Sequence, residues 1–175
     1  MRGRLTLNPL AHLDLVGSLV LILTRRIGWA KPVPINPRYY SNPRRGMMLV
    51  GLAGPAANMG LAIIFSISLK VIIGFSNYNI NMISNGFGSD YIYLIFRFLV
   101  MAIMINLSLA IFNLLPIPPL DGSKILRGVL PPKYDRYFLK LEGPIGMVVL
   151  LLLAYTGILW GIISPIVNLF LNLLV

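Results

Sequence analysis

Cysteine is absent from this 175-residue chain, and histidine occurs once, as His12. The first absence excludes disulfides and thiolate metal sites. The second leaves any zinc set short, because such a site takes three or more protein ligands. Asp14, two residues on from His12, points elsewhere on a helix, so His12 reads as a structural or interfacial residue. Charge is also scarce: Asp, Glu, Lys and Arg make up 11% of the residues, against about 25% in a soluble domain. Acid is the scarcer sign, with 5 Asp and Glu facing 15 Lys and Arg. No phosphate-cradling glycine loop is present.

What fills the space is apolar, at 57% of residues. The basic residues are not spread as a nucleic-acid binder would spread them. Arg25, Arg26, Lys31, Arg38, Arg44 and Arg45 fall in one loop, and Lys124, Arg127, Lys133, Arg136 and Lys140 in another. Residues 75–91 carry neither Lys nor Arg. Such clustering follows the positive-inside rule, so the two basic loops (24–46 and 116–144) are expected on the cytoplasmic side and 76–91 outside. The partners implied are lipid and membrane proteins, with no nucleic acid.

A bilayer span takes about 20 apolar residues, and residues 47–75, 92–115 and 145–163 qualify. Residues 15–23 are too short to cross alone and suggest a short N-terminal membrane segment. Pro165 is expected to break the last helix. Alternating polar and apolar residues at 1–8 suggest a small β element. The expected fold is an all-α membrane protein: one polytopic helical bundle over 1–175 with three transmembrane helices, preceded over 1–46 by the short strand, the apolar segment and a basic, proline-rich loop.

Chemistry concentrates in three motifs. Asn113-Leu-Leu-Pro116-Ile-Pro118-Pro119-Leu-Asp121-Gly122 follows the second span. A carboxylate at membrane depth costs roughly 2.5 to 3.5 kcal/mol, and proline-broken backbone must be covered by protein or line a wet cavity. Asp121 is therefore either a metal-ligand candidate at a cavity edge or an N-cap for a helix beginning at Gly122. The second motif, Gly51-Leu-Ala-Gly54-Pro55-Ala-Ala-Asn58-Met-Gly60, suits close helix packing, with Asn58 available to a neighbouring helix. The third, Gly28-Trp29-Ala30-Lys31-Pro32-Val33-Pro34 continuing to Asn42-Pro43-Arg44-Arg45-Gly46, reads as an extended interfacial anchor or a strand edge for an extended substrate.

These motifs, in this order and with Gly3-Arg4-Leu5-Thr6-Leu7-Asn8-Pro9 ahead of them, resemble the prokaryotic site-2 protease family over nearly the whole chain. The resemblance implies an intramembrane zinc metalloprotease of a prokaryotic cell membrane, cutting membrane-embedded protein substrates. It implies Asp121 as the third zinc ligand and Asn113 as a donor on the oxyanion side. Gly54, Pro55, Asn58, Pro116 and Gly122 would be packing residues beside that site. The family's other two ligands and its general base lie on a His-Glu-x-x-His helix that comes before the Gly-Arg-Leu-Thr-Leu-Asn-Pro segment, here begun at Gly3. The absence of that helix has three readings, a misassigned start codon, a split or truncated gene, or a degenerate paralogue, and a missing N-terminus is the favoured expectation. The chain alone is expected to be inactive. The alternatives are a non-catalytic membrane scaffold and, because broken helices with an intramembrane acid also mark ion paths, a small transporter subunit.

The ligand count makes one prediction. The purified 175-residue chain carries well under one equivalent of tightly held zinc, as elemental analysis after dialysis against a weak chelator will measure. A stoichiometric zinc content overturns it.

Overall fold

A computed structural model describes residues 13–15, 18–19, 22, 36, 39–78 and 89–174. The chain divides into two units, Met1–Tyr39 and Tyr40–Val175. In the first, the Ser18 N–H donates to the Asp14 carbonyl at 2.8 Å, one helical turn. The strand expected at 1–8, His12, Trp29 and residues 79–88 of the connection at 76–91 lie outside the described residues.

The described residues of the second unit are mostly helical. Its elements are α1 (Pro43–Tyr78), α2 (Ser89–Leu114), α3 (Asp121–Val129), a 3₁₀ turn (Pro132–Tyr134), α4 (Asp135–Leu141), α5 (Pro144–Tyr155) and α6 (Ile158–Leu174). No strand is present among the described residues. Pro43–Gly74 and Tyr91–Leu114 are each long and apolar enough to cross a membrane, and a third crossing is available if Pro132–Leu141 and Pro144–Tyr155, bent by 73°, count as one span.

The first long helix starts earlier than the hydrophobic run that predicts it. Asn42 is its N-cap: the side-chain oxygen accepts from the Arg45 N–H at 3.1 Å. Pro43 occupies the first helical position, where a missing N–H costs nothing. The Asn42-Pro43-Arg44-Arg45-Gly46 motif is thus a helix start and not the end of an extended loop. Residues 116–144, expected as a loop, contain α3, the 3₁₀ turn and α4.

The third predicted span, 145–163, is divided. α5 ends at Tyr155, and Gly157, at φ +76°, closes it in the left-handed conformation that glycine adopts readily. The Gly157 N–H turns back to the Ala154 carbonyl at 3.2 Å, and the Thr156 hydroxyl donates to the Leu153 carbonyl at 2.9 Å. Pro165, expected as the breaker, sits inside α6. A glycine that satisfies the last carbonyls of one helix is a more complete stop than a proline that only withholds one donor.

The core is a stripe of α2 held between two neighbours. Leu99, Ile103, Leu107 and Ile111 recur every fourth residue and are buried. They meet Ala62 and Leu69 of α1 and Leu159, Ile163 and Val167 of α6 in one cluster. The Ser66 hydroxyl of α1 donates to the Leu174 carbonyl, tying in the end of α6. The outward faces stay apolar: Ile64 and Ile67 of α1 and Leu94, Phe98 and Ile105 of α2 are largely exposed. So wide an apolar surface suits lipid rather than water.

Arg44 links the start of α1 to the far end of α3. One Nη2 donates to the carbonyls of Arg127 at 2.6 Å and Leu130 at 2.7 Å, and to Asp135 Oδ1 at 3.2 Å. The two carbonyls lie where the helix dipole is negative, so the cation is doubly placed. Arg44→Met is expected to destabilise the chain by about 1–2 kcal/mol, as lost charged hydrogen bonds at a partly exposed site do. Arg44→Lys should recover only part of this, because an ammonium is more strongly hydrated than a guanidinium and costs more to bring to a partly buried site. SDS-titration unfolding in detergent micelles measures both.

Candidate functional site

Asp121 owes its position to a chain break that the prolines enforce. After α2 ends at Leu114, the Ile117 N–H turns to the Leu115 carbonyl at 2.8 Å and the Leu120 N–H to the Ile117 carbonyl at 2.9 Å. The Pro118–Pro119 bond within this stretch is cis. Leu120, in extended conformation, is the residue before α3, and no side chain caps the helix there. Asp121 is therefore the first helical residue, with Leu120 in the N-cap place. The Ser123 hydroxyl, fully buried, donates back to the Leu120 carbonyl at 2.7 Å. A carboxylate in the first turn faces the positive end of the helix dipole.

Gly122 lets this turn close. A Cβ there would run into the backbone carbonyls of Leu114 and Leu115. The first turn of α3 is thereby stacked on the last turn of α2, which carries Asn113. Gly146, at the start of α5, is similarly close: a Cβ would stand 2.9 Å from the Pro118 carbonyl oxygen.

α3 lies antiparallel along α1. Met48 covers Gly128, whose Cβ would come within 2.7 Å of the Met48 Cβ. One turn on, a Cβ on Gly51 would stand 2.9 Å from the Asp121 carbonyl oxygen and 3.2 Å from the Lys124 Cβ. A further turn brings Gly54 under the Asp121 side chain, with Oδ2 3.3 Å from where a Cβ would be. Gly51 and Gly54 of the Gly51–Gly60 motif are thus what admits α3 to the surface of α1, while Gly60 faces open space.

The two oxygens of Asp121 have different surroundings. Oδ1 accepts from Lys124 Nζ at 2.7 Å. Oδ2 overlies Gly54. The carboxylate is 27% exposed, so it is neither out in bulk water nor sealed. Pro55 is buried and Asn58, one turn on, is half-buried. Pro55 has no N–H to give to the Gly51 carbonyl, a built-in weak point in α1 near the acid. Asn113 is half-buried at the end of α2, while Pro116 is exposed.

Two site residues escaped the sequence reading. Lys124 sits among the residues of a basic loop, although its i,i+3 spacing from Asp121 on a helix is a pairing signal. Arg44 carries no local signal, since its partners lie 83 to 91 positions away.

Among the described residues no group of three or more His, Cys, Asp or Glu side chains could hold a metal. Asp121 offers one carboxylate, which does not amount to a zinc site by itself.

The contrast between Gly122 and Gly54 is measurable. Gly122→Ala forces a methyl into fixed backbone and is expected to cost about 1–3 kcal/mol. Gly54→Ala meets only a carboxylate that can shift, and gains helix propensity of about 1 kcal/mol, so its net effect should be near zero. Thermal unfolding of both variants in the same detergent gives the comparison. Equal losses would contradict the packing described.

Comparison with known proteins places these motifs. A family model described as Peptidase family M50 matches residues 25–154. The chain is 36% identical over 167 residues to a Bacillus subtilis (strain 168) protein named "Putative zinc metalloprotease YwhC", covering 95% of this chain and 72% of that one. It is 32% identical over 130 residues to the protein named zinc metalloprotease MJ0392 of Methanocaldococcus jannaschii, covering 73% of this chain and 33% of the relative. No solved structure matches. With most of its length inside that pattern, the chain belongs to peptidase family M50, the site-2 protease family.

Proposed function

We propose that this chain forms the aspartate-bearing part of a membrane-embedded zinc metallopeptidase that hydrolyses peptide bonds of membrane proteins in or near the bilayer. Family membership and the names of both relatives support peptidase chemistry and zinc. The observation that carries the assignment of the site is the Asp121 carboxylate at the head of α3, one oxygen held by Lys124 and the other over Gly54. An acid whose outer partner fixes one oxygen presents the other in a defined direction, as ligating carboxylates do. Asn113 is the neutral donor on the adjoining helix end, suited to a reacting carbonyl. The remaining ligands belong to parts of the protein that the described residues do not include, and the chain covers only a third of its archaeal relative.

The two or three helices able to cross a membrane support a multi-pass membrane protein, and the bacterial and archaeal relatives support a prokaryotic cell membrane. The basic residues of 24–46 and 116–144 favour the cytoplasmic side for those segments under the positive-inside rule.

A non-catalytic scaffold is the second reading, and one contact favours it. Lys124 already neutralises Asp121 at 2.7 Å, so the acid has a structural partner without any metal. The two readings separate on Asp121→Asn in the protein expressed with any in-frame sequence that precedes Met1. Changing partners of metal ligands costs 10–100-fold in affinity or activity, so loss of the ligand itself should cut cleavage of a membrane-embedded reporter by more than about 100-fold. Lys124→Met should fall within that 10–100-fold band. Undiminished cleavage by the Asp121→Asn variant removes Asp121 from the active site. An inactive wild type whose Asp121→Asn form merely unfolds more easily supports the scaffold.

A further inference from the structure

The short segment between α3 and α5 has a charged face that the peptidase reading does not use. It holds two acids, Asp135 and Glu142, and both are taken. Asp135 receives Arg44 at 3.2 Å and Arg127 at 3.6 Å, and Glu142 receives Arg127 at 2.6 Å. Lys133, Arg136 and Lys140 make no ion pair with any described residue. All three are exposed. At three to four residues apart they fall on one side of the segment, while Asp135 turns inward to the arginines.

Beside this cationic stripe runs an amphipathic one. Tyr134, Tyr137 and Leu141 are 38%, 65% and 38% exposed. Their spacing of three and four puts them on the adjoining side. Lys133 Nζ lies 5.1 Å from the Tyr134 ring centroid, so the two stripes touch. Aromatic rings with polar tips next to Lys and Arg are the composition of a helix that lies in a membrane interface.

Geometry agrees with that location. The Pro132–Leu141 stretch is bent by 73° from α5. α5 exposes Ile145, Val148, Leu151 and Leu152 along its length, as a helix in hydrocarbon does. A bend of this size lets the segment run near the bilayer surface, at headgroup depth, while α5 enters the bilayer.

We propose that Lys133, Arg136 and Lys140 form a binding face for the phosphate headgroups of anionic phospholipid, with Tyr134, Tyr137 and Leu141 seated among the upper acyl carbons. Charge complementarity selects anionic over zwitterionic lipid, because three unneutralised cations stand together with no acid left to pair them. Lipid held there fixes α4, and through Asp135 it fixes the Arg44 junction at the end of α3.

The test uses the full chain in detergent micelles and needs no peptidase activity. Native mass spectrometry reads the dissociation constant of the first phosphatidylglycerol bound. Each basic residue near an anionic surface contributes about a fivefold preference. Lys133→Gln, Arg136→Gln and Lys140→Gln should each weaken binding by about fivefold, and the triple variant by about 100-fold. A charge-matched control, Arg45→Gln with Lys70→Gln and Arg97→Gln, should stay within about twofold of wild type, since its charges lie off this face. Equal losses in the two triple variants, or no loss in the first, overturn the proposal. So does a soluble polyglutamate peptide that binds the wild type in phosphatidylcholine discs more tightly than phosphatidylglycerol does, because the face would then serve an acidic protein. Circular dichroism checks that helicity is kept, and the single variants carry the test if the triple loses it.

Discussion

The structure depends on how closely α3 can lie against α1. Two helices with ordinary side chains at their contact keep their axes 8–10 Å apart. Here three glycines leave room for a close approach: Gly128 lies against the Met48 side chain, Gly51 against the Asp121 carbonyl and Lys124, and Gly54 against the carboxylate. In lipid there is no hydrophobic drive to press helices together, so small residues that allow close van der Waals contact and polar links do that work. The seam sets the register of α3, and the register decides which surface of α1 the acid overlooks.

The polar links stand at the two ends of the same short helix. At its head, Asp121 meets the positive end of the peptide dipoles and Lys124 takes up the charge. At its tail, Arg44 gathers the free carbonyls, and Asp135, Arg127 and Glu142 extend the pairing into α4 and the turn beyond. A helix of nine residues is marginal in isolation. Held at both ends and along one side, it becomes a fixed mount for a carboxylate.

Local chemistry was legible in the sequence and distant pairing was not. The Leu120-Asp121-Gly122 turn could be read because prolines, an acid and a glycine each impose their own constraint within a few residues. The α1 and α2 spans could be read from length and apolar content. The helix start at Asn42-Pro43 was hidden by the basic residues around it, although cap and proline together are a start signal. The last span misled because proline was weighed above glycine as a stop, whereas Gly157 supplies the left-handed turn that satisfies the chain's own carbonyls. The Arg44 junction joins residues more than eighty positions apart, and no periodicity encodes it. Lys124 pairs with Asp121 at helical spacing, a signal masked by the charged residues that flank it.

The glycine seam also bears on how this gene tolerates copying errors. Every single-base missense change in a glycine codon installs a larger side chain, so there is no conservative neighbour to drift through. At Gly51, Gly122 and Gly128 the new atoms would meet backbone or the base of a side chain, which cannot swing aside. At Gly54 they would meet only the end of a side chain, the Asp121 Oδ2. Random mutagenesis should therefore find the first three positions almost silent in survivors, while the fourth admits variants that fold and differ in how the acid is presented.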